Sequence, residues 1–207
     1  NFLSTVNILN SIGKFKIKKF IYSASASCYG NAKKLPISEN AKIQPLSPYA
    51  LTKWLSEQAI MQRANSNNFP AISLRLFNVY GPRTKASSAY SGAISVFVKQ
   101  KLNHKPLTVI GDGLQSRSFI HVSDVVSAMI KMAKSKISNE IFNVGSQKTL
   151  QINKIVKLLG GKKINIPERL GDPRHSSADI KKIKKYLKWS PKIPIDVGIK
   201  LLLKDYD

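Results

Sequence analysis

The sequence predicts an α/β fold built on a parallel sheet. Three observations point there. The first 76 residues run helix, strand, helix, strand, the alternation that lays parallel strands side by side with helices across their faces. Phe20-Ile21-Tyr22-Ser23 and Ala71-Ile72-Ser73-Leu74-Arg75-Leu76 are short β-rich runs, the first of them reading as a buried strand. The 207 residues are 43% hydrophobic, enough to bury a core in one sizeable domain or one and a half small ones.

Taken in order, residues 1–13 read as a helix, with Leu3, Val6 and Leu9 at helical spacing and Gly13 as its stop. A basic turn leads into the strand at Phe20, and residues 30–47 read as a loop marked by Gly30, Pro36, Asn40 and Pro45. Ser47 can cap a second helix whose first turn suits Pro48 and which runs to about Ala64. The strand 71–76 then ends in a loop, Phe77-Asn78-Val79-Tyr80-Gly81-Pro82. After residue 83 the character changes, which divides the chain into 1–83 and 84–207. The second part predicts a helix near 94–102, strands at 107–110 and 118–122, a helix over 123–134, a strand at 141–144 and a helix over 152–159. An extended stretch at 164–167, a loop through 169–176 and a helix near 179–187 close the pattern.

Composition bounds the function. The formal net charge is +23, with 28 lysines against 6 arginines. The lysines are spread along the chain, and no nucleic-acid-binding motif or alternation of basic and aromatic residues accompanies them. A solvated basic surface is therefore expected rather than a nucleic-acid partner, with attraction to acidic substrates such as sugar nucleotides as a further reading. No apolar run reaches the roughly 18–20 residues that span a bilayer, so no membrane partner is expected. The opening Asn1-Phe2-Leu3-Ser4 carries no basic leader or small-residue cleavage site. Cys28 is the one cysteine, which excludes an intrachain disulfide and suits a reducing cytoplasm.

Tyr49 and Lys53 lie four apart at the start of a helix and project from one face. A nearby ammonium favours the phenolate and brings a tyrosine toward the working range of a general base. Ser23-Ala24-Ser25-Ala26-Ser27-Cys28-Tyr29-Gly30 supplies hydroxyl donors at a strand end upstream. A surface pair on a helix is the alternative for Tyr49 and Lys53 alone. Placement at the helix start, after a serine-rich strand end, favours catalysis.

With these residues in view, the chain resembles the extended short-chain dehydrogenase/reductase family, in its NAD-dependent sugar-nucleotide epimerase/dehydratase branch. The segments that carry the resemblance are Ser25-Ala26-Ser27-Cys28-Tyr29-Gly30, Pro48-Tyr49-Ala50-Leu51-Thr52-Lys53, Leu74 through Arg83, Gly111 through Asp124, and Phe142-Asn143-Val144-Gly145, in the family's order over nearly the whole chain. The resemblance implies the C-terminal part of a Rossmann-type parallel sheet, carrying the catalytic residues in 1–83, with a smaller α/β substrate-binding domain mainly in 84–207 and some segments returning to the sheet. It implies NAD as cofactor and a nucleotide sugar, UDP-linked, as substrate. Tyr49 would take the proton from the sugar 4-hydroxyl, Lys53 would hold the nicotinamide ribose, and Ser25 would hydrogen-bond the same sugar oxygen. Ser27 is either a second hydroxyl at the sugar or a structural strand end. Asn1 matches an asparagine facing the cofactor. Phe77 either brings backbone to the nicotinamide or belongs to the core. Asn78, Arg117 and Arg169 would hold the diphosphate, a task suited to the guanidinium fork. Arg174 is divided between substrate and structure, Asp124 and His121 are expected to be structural, and Cys28 is expected to be a buried apolar residue.

Within the family, 4,6-dehydratases place an adjacent Asp-Glu after the catalytic hydroxyl residue, where this chain has Ala26 and Ser27. The expectation is a 4-epimerase of the UDP-glucose or UDP-N-acetylglucosamine type, with the loop Arg83 to Tyr90 bordering the sugar. The alternatives are another dehydratase, reductase or decarboxylase of the family, or a fragment that only binds nucleotide sugar. The family's opening G-x-x-G-x-x-G turn, which holds the pyrophosphate at a helix N-terminus, is not found in these 207 residues. About the first hundred residues of a typical Rossmann-type member are thus expected to be missing, with little NAD binding by the chain alone. By analogy the full-length protein would be a homodimer joined through the helix at 1–13 and the Tyr49/Lys53 helix.

Overall fold

Side-chain periodicity places the first sheet between two helical layers. The computed structural model describes residues 1–13, 15–66, 69–84, 92–168 and 172–204. Strands β1 (Phe20–Ser25), β2 (Ala71–Leu76) and β6 (Glu140–Val144) pair in parallel in the order β1-β2-β6. Ile72 and Leu74 of β2 point to one face, where they meet Phe142 and Val144 with Val125, Ala128 and Met132 of helix α4 (Val122–Lys134) and Ile183 of α6 (Lys181–Leu187). Ala71 points to the other face, against Ile60 and Ala64 of α2 (Pro48–Ser66) and Leu9 of α1 (Phe2–Ile12). A strand covered on both sides hides nearly all its side chains, and β2 is buried at its first five positions, Ser73 and Arg75 among them.

The second half folds around β5 (Ser116–His121). β3 (Asn78–Tyr80) pairs with its end in parallel, while β7 (Thr149–Gln151), antiparallel, and β9 (His175–Ser176), parallel, flank its start. β4 (Leu107–Ile110) and β8 (Lys163–Ile166) form a separate parallel pair. Helices α3 (Ala93–Leu102), α5 (Ile152–Leu159) and α7 (Ile195–Lys204) close a second core containing Phe97, Val109, Phe119, Ile155, Ile199 and Leu202. In α5 the buried residues are Ile152, Ile155, Val156 and Leu159, an apolar stripe at i, i+3, i+4 and i+7. Burial of each such side chain contributes about 1.5–3 kcal/mol relative to exposure.

Most elements stand where the sequence places them, and the differences have local causes. Residues 78–80 form a strand rather than continuing the loop, because β5 offers Phe119, Ile120 and His121 as ladder partners. Gly13 ends α1 in right-handed geometry, φ −59°, so its stop does not use glycine's left-handed freedom. β7 and β9 are too short to show a period. α7 was not expected, since it holds a glycine and follows Pro191 and Pro194. Its Gly198 is required by space: a Cβ there would sit 2.0 Å from the Tyr80 hydroxyl oxygen. The segment entering α7 is tied down by Asp124, whose carboxylate accepts the backbone N–H of Lys192 at 2.9 Å and of Ile193 at 3.0 Å. Asp124 is thus the loop brace the sequence predicts. Among the described residues no helix is long and apolar enough to cross a membrane.

Candidate active site

The ladder brings Ser25, Leu76 and Val144 into register, so β1, β2 and β6 end along one edge of the sheet. The crevice beyond the carboxyl ends of parallel strands is where such sheets bind ligands. A cleft of about 540 Å³ lies there, within the ordinary size of a small-molecule site. Ser25, Ser27, Tyr49, Lys53, Phe77, Asn78 and Arg117 all line it.

The serine-rich strand end turns sharply. The Ser25 hydroxyl accepts the Ser27 backbone N–H at 3.2 Å and lies 2.8 Å from the Ser27 hydroxyl, which opens a 3₁₀ turn over Ala26–Tyr29. Gly30 ends the turn at φ 56°, where a Cβ would be 2.1 Å from the Gln44 carbonyl oxygen. Cys28 is buried under this turn, and burial pushes its thiol up to about 12, away from thiolate chemistry.

α2 starts as its residues dictate. The Ser47 hydroxyl accepts the Ala50 N–H at 3.2 Å, and Pro48 occupies the first turn. Tyr49 and Lys53 follow one turn apart and both face the cleft. The Lys53 ammonium donates to the Ser23 carbonyl and lies 4.5 Å from the centroid of the Tyr22 ring. Burial lowers its pKa below that of an ordinary lysine. Asn1 does not line the cleft. It stands exposed at the start of α1, and its amide donates to the Thr52 hydroxyl at 3.4 Å, beside Lys53 in sequence.

Phe77 is 4% exposed, its N–H bonds the Val144 carbonyl at 2.9 Å, and it belongs to the core as well as to the cleft wall. The Asn78 amide donates to the Ser118 carbonyl at 3.1 Å. Arg117, buried, pairs with Asp172 at 2.8 Å and donates to the carbonyls of Ser116 at 3.0 Å and Arg174 at 3.2 Å. It separates the main cleft from an adjoining cavity of about 140 Å³ that Arg174 and Glu168 also line. Arg174 itself is exposed and engages Asp112 through both guanidinium arms, at 2.8 and 2.6 Å, which holds the Asp112 carboxyl down at about 2. Arg169 lies outside the described residues, as do residues 85–90 of the loop expected to border the sugar. His121 is buried, caps α4 by accepting the Ser123 N–H at 3.2 Å, and meets the Tyr80 ring edge-on. No group of His, Cys, Asp or Glu among the described residues is placed to hold a metal ion.

A buried polar cluster behind the cleft was not anticipated. Glu57 of α2 pairs with Arg75 of β2 at 2.6 Å, with 1% and 4% of the two side chains exposed. Burial opposes the charge on Arg75, but the hydrogen bonds it donates to Glu57, together with the electrostatic attraction of Glu57 and its neighbours, outweigh it and hold the guanidinium firmly protonated. The available signal was an arginine inside an otherwise apolar strand, together with the only acidic residue of the following-face series Tyr49, Lys53, Glu57.

Comparison with known proteins identifies the family and the fold. The family model for the NAD dependent epimerase/dehydratase family matches residues 1–145. A Methanocaldococcus jannaschii protein provisionally named UDP-glucose 4-epimerase is 34% identical over 97% of this chain and 67% of its own length. A UDP-N-acetylglucosamine 4-epimerase from Methanobrevibacter ruminantium, solved with UDP-N-acetylmuramic acid, superposes with a TM-score of 0.93 at 29% identity, over 100% of this chain and 68% of that one. A UDP-glucuronic acid 4-epimerase from Bacillus cereus, solved with UDP-glucuronic acid and NAD, gives 0.87 at 29% identity, over 98% and 66%. The chain thus spans about two thirds of the length of each of these proteins.

Proposed function

The chain belongs to the NAD-dependent epimerase/dehydratase family, and on that premise we propose that it carries the catalytic and sugar-nucleotide-binding part of a nucleotide-sugar 4-epimerase. Its substrate in this reading is a UDP-linked neutral hexose of the glucose/galactose or N-acetylhexosamine type. The observation that supports it best is the convergence of Ser25, Tyr49 and Lys53 on one cleft whose floor, Ala26 and Ser27, is small and uncharged.

Each residue has a task that its chemistry suits. Tyr49 takes the proton of the sugar 4-hydroxyl and later returns it. Ser25 hydrogen-bonds the same oxygen, its own orientation held by Ser27. Lys53, half-buried with its ammonium at the cleft, binds a ribose hydroxyl. Asn78 and Arg117 hold the diphosphate, with Arg169 as a further arm, and Arg117 exchanges its contact with the exposed carboxylate of Asp172 for phosphate oxygen. The adjacent Asp-Glu that serves dehydration in this family is replaced by Ala26 and Ser27, which leaves a 4-keto sugar room to turn over.

NAD is the cofactor of the family, and the residues present fit its nicotinamide-ribose end: a half-buried ammonium at Lys53 and the Phe77 strand end bound the cleft. When bound, NAD supplies the acceptor and donor of hydride at sugar C4. The G-x-x-G-x-x-G turn that seats its pyrophosphate is not in these 207 residues. That absence favours a second reading, in which the isolated chain binds nucleotide sugar but scarcely NAD. Micromolar affinity for NAD in a titration of the purified chain would exclude it.

The decisive test of mechanism is Tyr49→Phe in a protein that unites this chain with a glycine-rich segment. Interconversion of UDP-glucose and UDP-galactose is expected to slow by about 10²–10⁴-fold, the usual contribution of a positioned base. Near-normal turnover would remove Tyr49 from the reaction. A homodimer is part of the same proposal, supported by Leu3 of α1 and Leu51 of α2, which are 71% and 43% exposed on the two helices concerned. Sedimentation of the wild type against Leu3→Glu tests it.

A further inference from the structure

Glu57 extends the series Tyr49, Lys53 by one more turn along the same face of α2. Its two carboxylate oxygens both accept Arg75 Nε at 3.1 Å, one accepts the terminal Arg75 nitrogen at 2.6 Å, and the other accepts the Ser73 hydroxyl at 2.6 Å. The remaining arm of Arg75 donates to the Tyr29 hydroxyl at 2.9 Å and the Glu39 carbonyl at 3.0 Å. The Tyr29 hydroxyl donates to the side-chain oxygen of Asn143 at 2.7 Å, and the Asn143 amide donates to the Ile37 carbonyl at 2.9 Å. One ion pair therefore ties α2 to β2, to the 3₁₀ turn that carries Ser27, to β6 and to the loop over 30–47. All of these but β6 contribute residues to the cleft lining.

Two features argue that the pair sets geometry rather than merely adding stability. A buried ion pair loses most of its Coulomb gain to desolvation, and apolar residues of similar volume commonly do as well. What apolar residues do not supply is direction, and the planar guanidinium fork does. The second feature is where α2 gets its grip. Its fully buried apolar residues are Ala50 at the start and Ile60 and Ala64 at the far end, while the buried residues between them are Ser56 and Glu57. Next to Lys53, Trp54 packs half-buried against the core, and the fully buried contacts of this stretch are the polar ones of Ser56 and Glu57.

We propose that Glu57, held by Arg75, is a positioning residue for the Tyr49–Lys53 pair, fixing the rotation and axial setting of α2 against the Ser25–Ser27 turn. The proposal rests on the 4-epimerase reading of the cleft for its consequence, but its test needs neither cofactor nor substrate. In a protein that turns over, Glu57→Gln is expected to lower kcat by on the order of 100-fold with KM nearly unchanged, since a misplacement of about 1 Å can cost that much.

The test follows the Lys53 side-chain amine by NMR titration, assigned with Lys53→Arg, in the wild-type chain and in Glu57→Gln. Losing a carboxylate nearby lowers an amine's pKa if nothing moves. Losing the setting of α2 returns the ammonium to water and raises it toward the ordinary lysine range. An upward move in folded Glu57→Gln, matched by a smaller one in Arg75→Lys, supports the proposal. An unchanged or downward titration in either folded variant overturns it. If neither variant folds, amide exchange in the wild type decides: protection of residues 53–57 should equal that of 72–75, and independent opening of α2 overturns the proposal. If Tyr49→Phe keeps epimerase activity while Lys53 moves as expected, the functional reading falls and the clamp stands.

Discussion

Asp124 offers a stability test whose size follows from two hydrogen bonds. Its carboxylate is buried and accepts the N–H groups of Lys192 and Ile193 at 2.9 and 3.0 Å. Prolines stand on either side, at 191 and 194, so the segment has few other donors with which to anchor itself before α7. A hydrogen bond to a charged acceptor contributes roughly 1.5–3 kcal/mol, and these two are only partly buried, so the lower half of that range applies. Asp124→Ala removes both and leaves the donors unpaired, a loss of about 3–4 kcal/mol. Asp124→Asn keeps one oxygen but turns an NH₂ toward the other N–H, a loss of about half as much. With an m-value on the order of 2 kcal/mol/M in urea, the midpoint should fall by roughly 1.5–2 M for Ala and 1 M for Asn. Amide exchange at 192 and 193 should quicken in the same order. Midpoints within about 0.2 M of wild type, or Asn as damaging as Ala, would show that the carboxylate does not brace this segment.

Three further expectations test other contacts. Tyr80 carries a buried hydroxyl with no hydrogen-bond partner among the described residues, so Tyr80→Phe should be neutral or raise stability by about 1 kcal/mol. Gly198→Ala should cost about 1–3 kcal/mol by overpacking against that hydroxyl, and Tyr80→Phe should recover part of the loss; additive denaturation midpoints would refute the contact. Arg117→Ala should weaken UDP binding by about 10–100-fold in calorimetry, the value of one or two charge-assisted bonds, and unchanged affinity would place the diphosphate elsewhere. Cys28 should resist a thiol reagent in the native chain at pH 8 and react on unfolding. Its proton leaves the unfolded chain near pH 9 but the folded one only near 12, so this group lowers folding stability as pH rises through that window, and Cys28→Ser should flatten the decline.

The residues that line the cleft could be picked out in the sequence because each is marked by local order. Tyr49 and Lys53 follow a Ser-Pro helix start, and Ser25 and Ser27 end an apolar strand. The long elements could be found for the same reason. What escaped depends on partners distant in the chain. Asn78–Tyr80 becomes a strand only because β5 arrives from residues 116–121. Glu57 and Arg75 look like two more solvated charges in a chain of net charge +23 until folding brings helix and strand together. Asn1 was expected to face the cofactor, yet α1 packs against α2 so that Asn1 meets Thr52 and does not line the cleft. The smallness of Gly198 has a reason only once Tyr80 is seen beneath it.

The return of β6 to the first sheet bears on how the protein is made. Tyr49, Lys53 and Ser25 are all made before residues 140–144, and until those emerge β2 lacks its β6 neighbour. The loop over 30–47 waits longer still, since Ile37 bridges to Ala178. At about 5–20 residues per second, the β1–β2 segment waits several seconds for its β6 neighbour. The charge of the nascent chain is then of use in itself: a polypeptide dense in lysine repels its neighbours on a polysome while its first sheet is unfinished. Translation speed through residues 84–180, rather than the stability of the finished fold, should govern how much active-site segment reaches the native state.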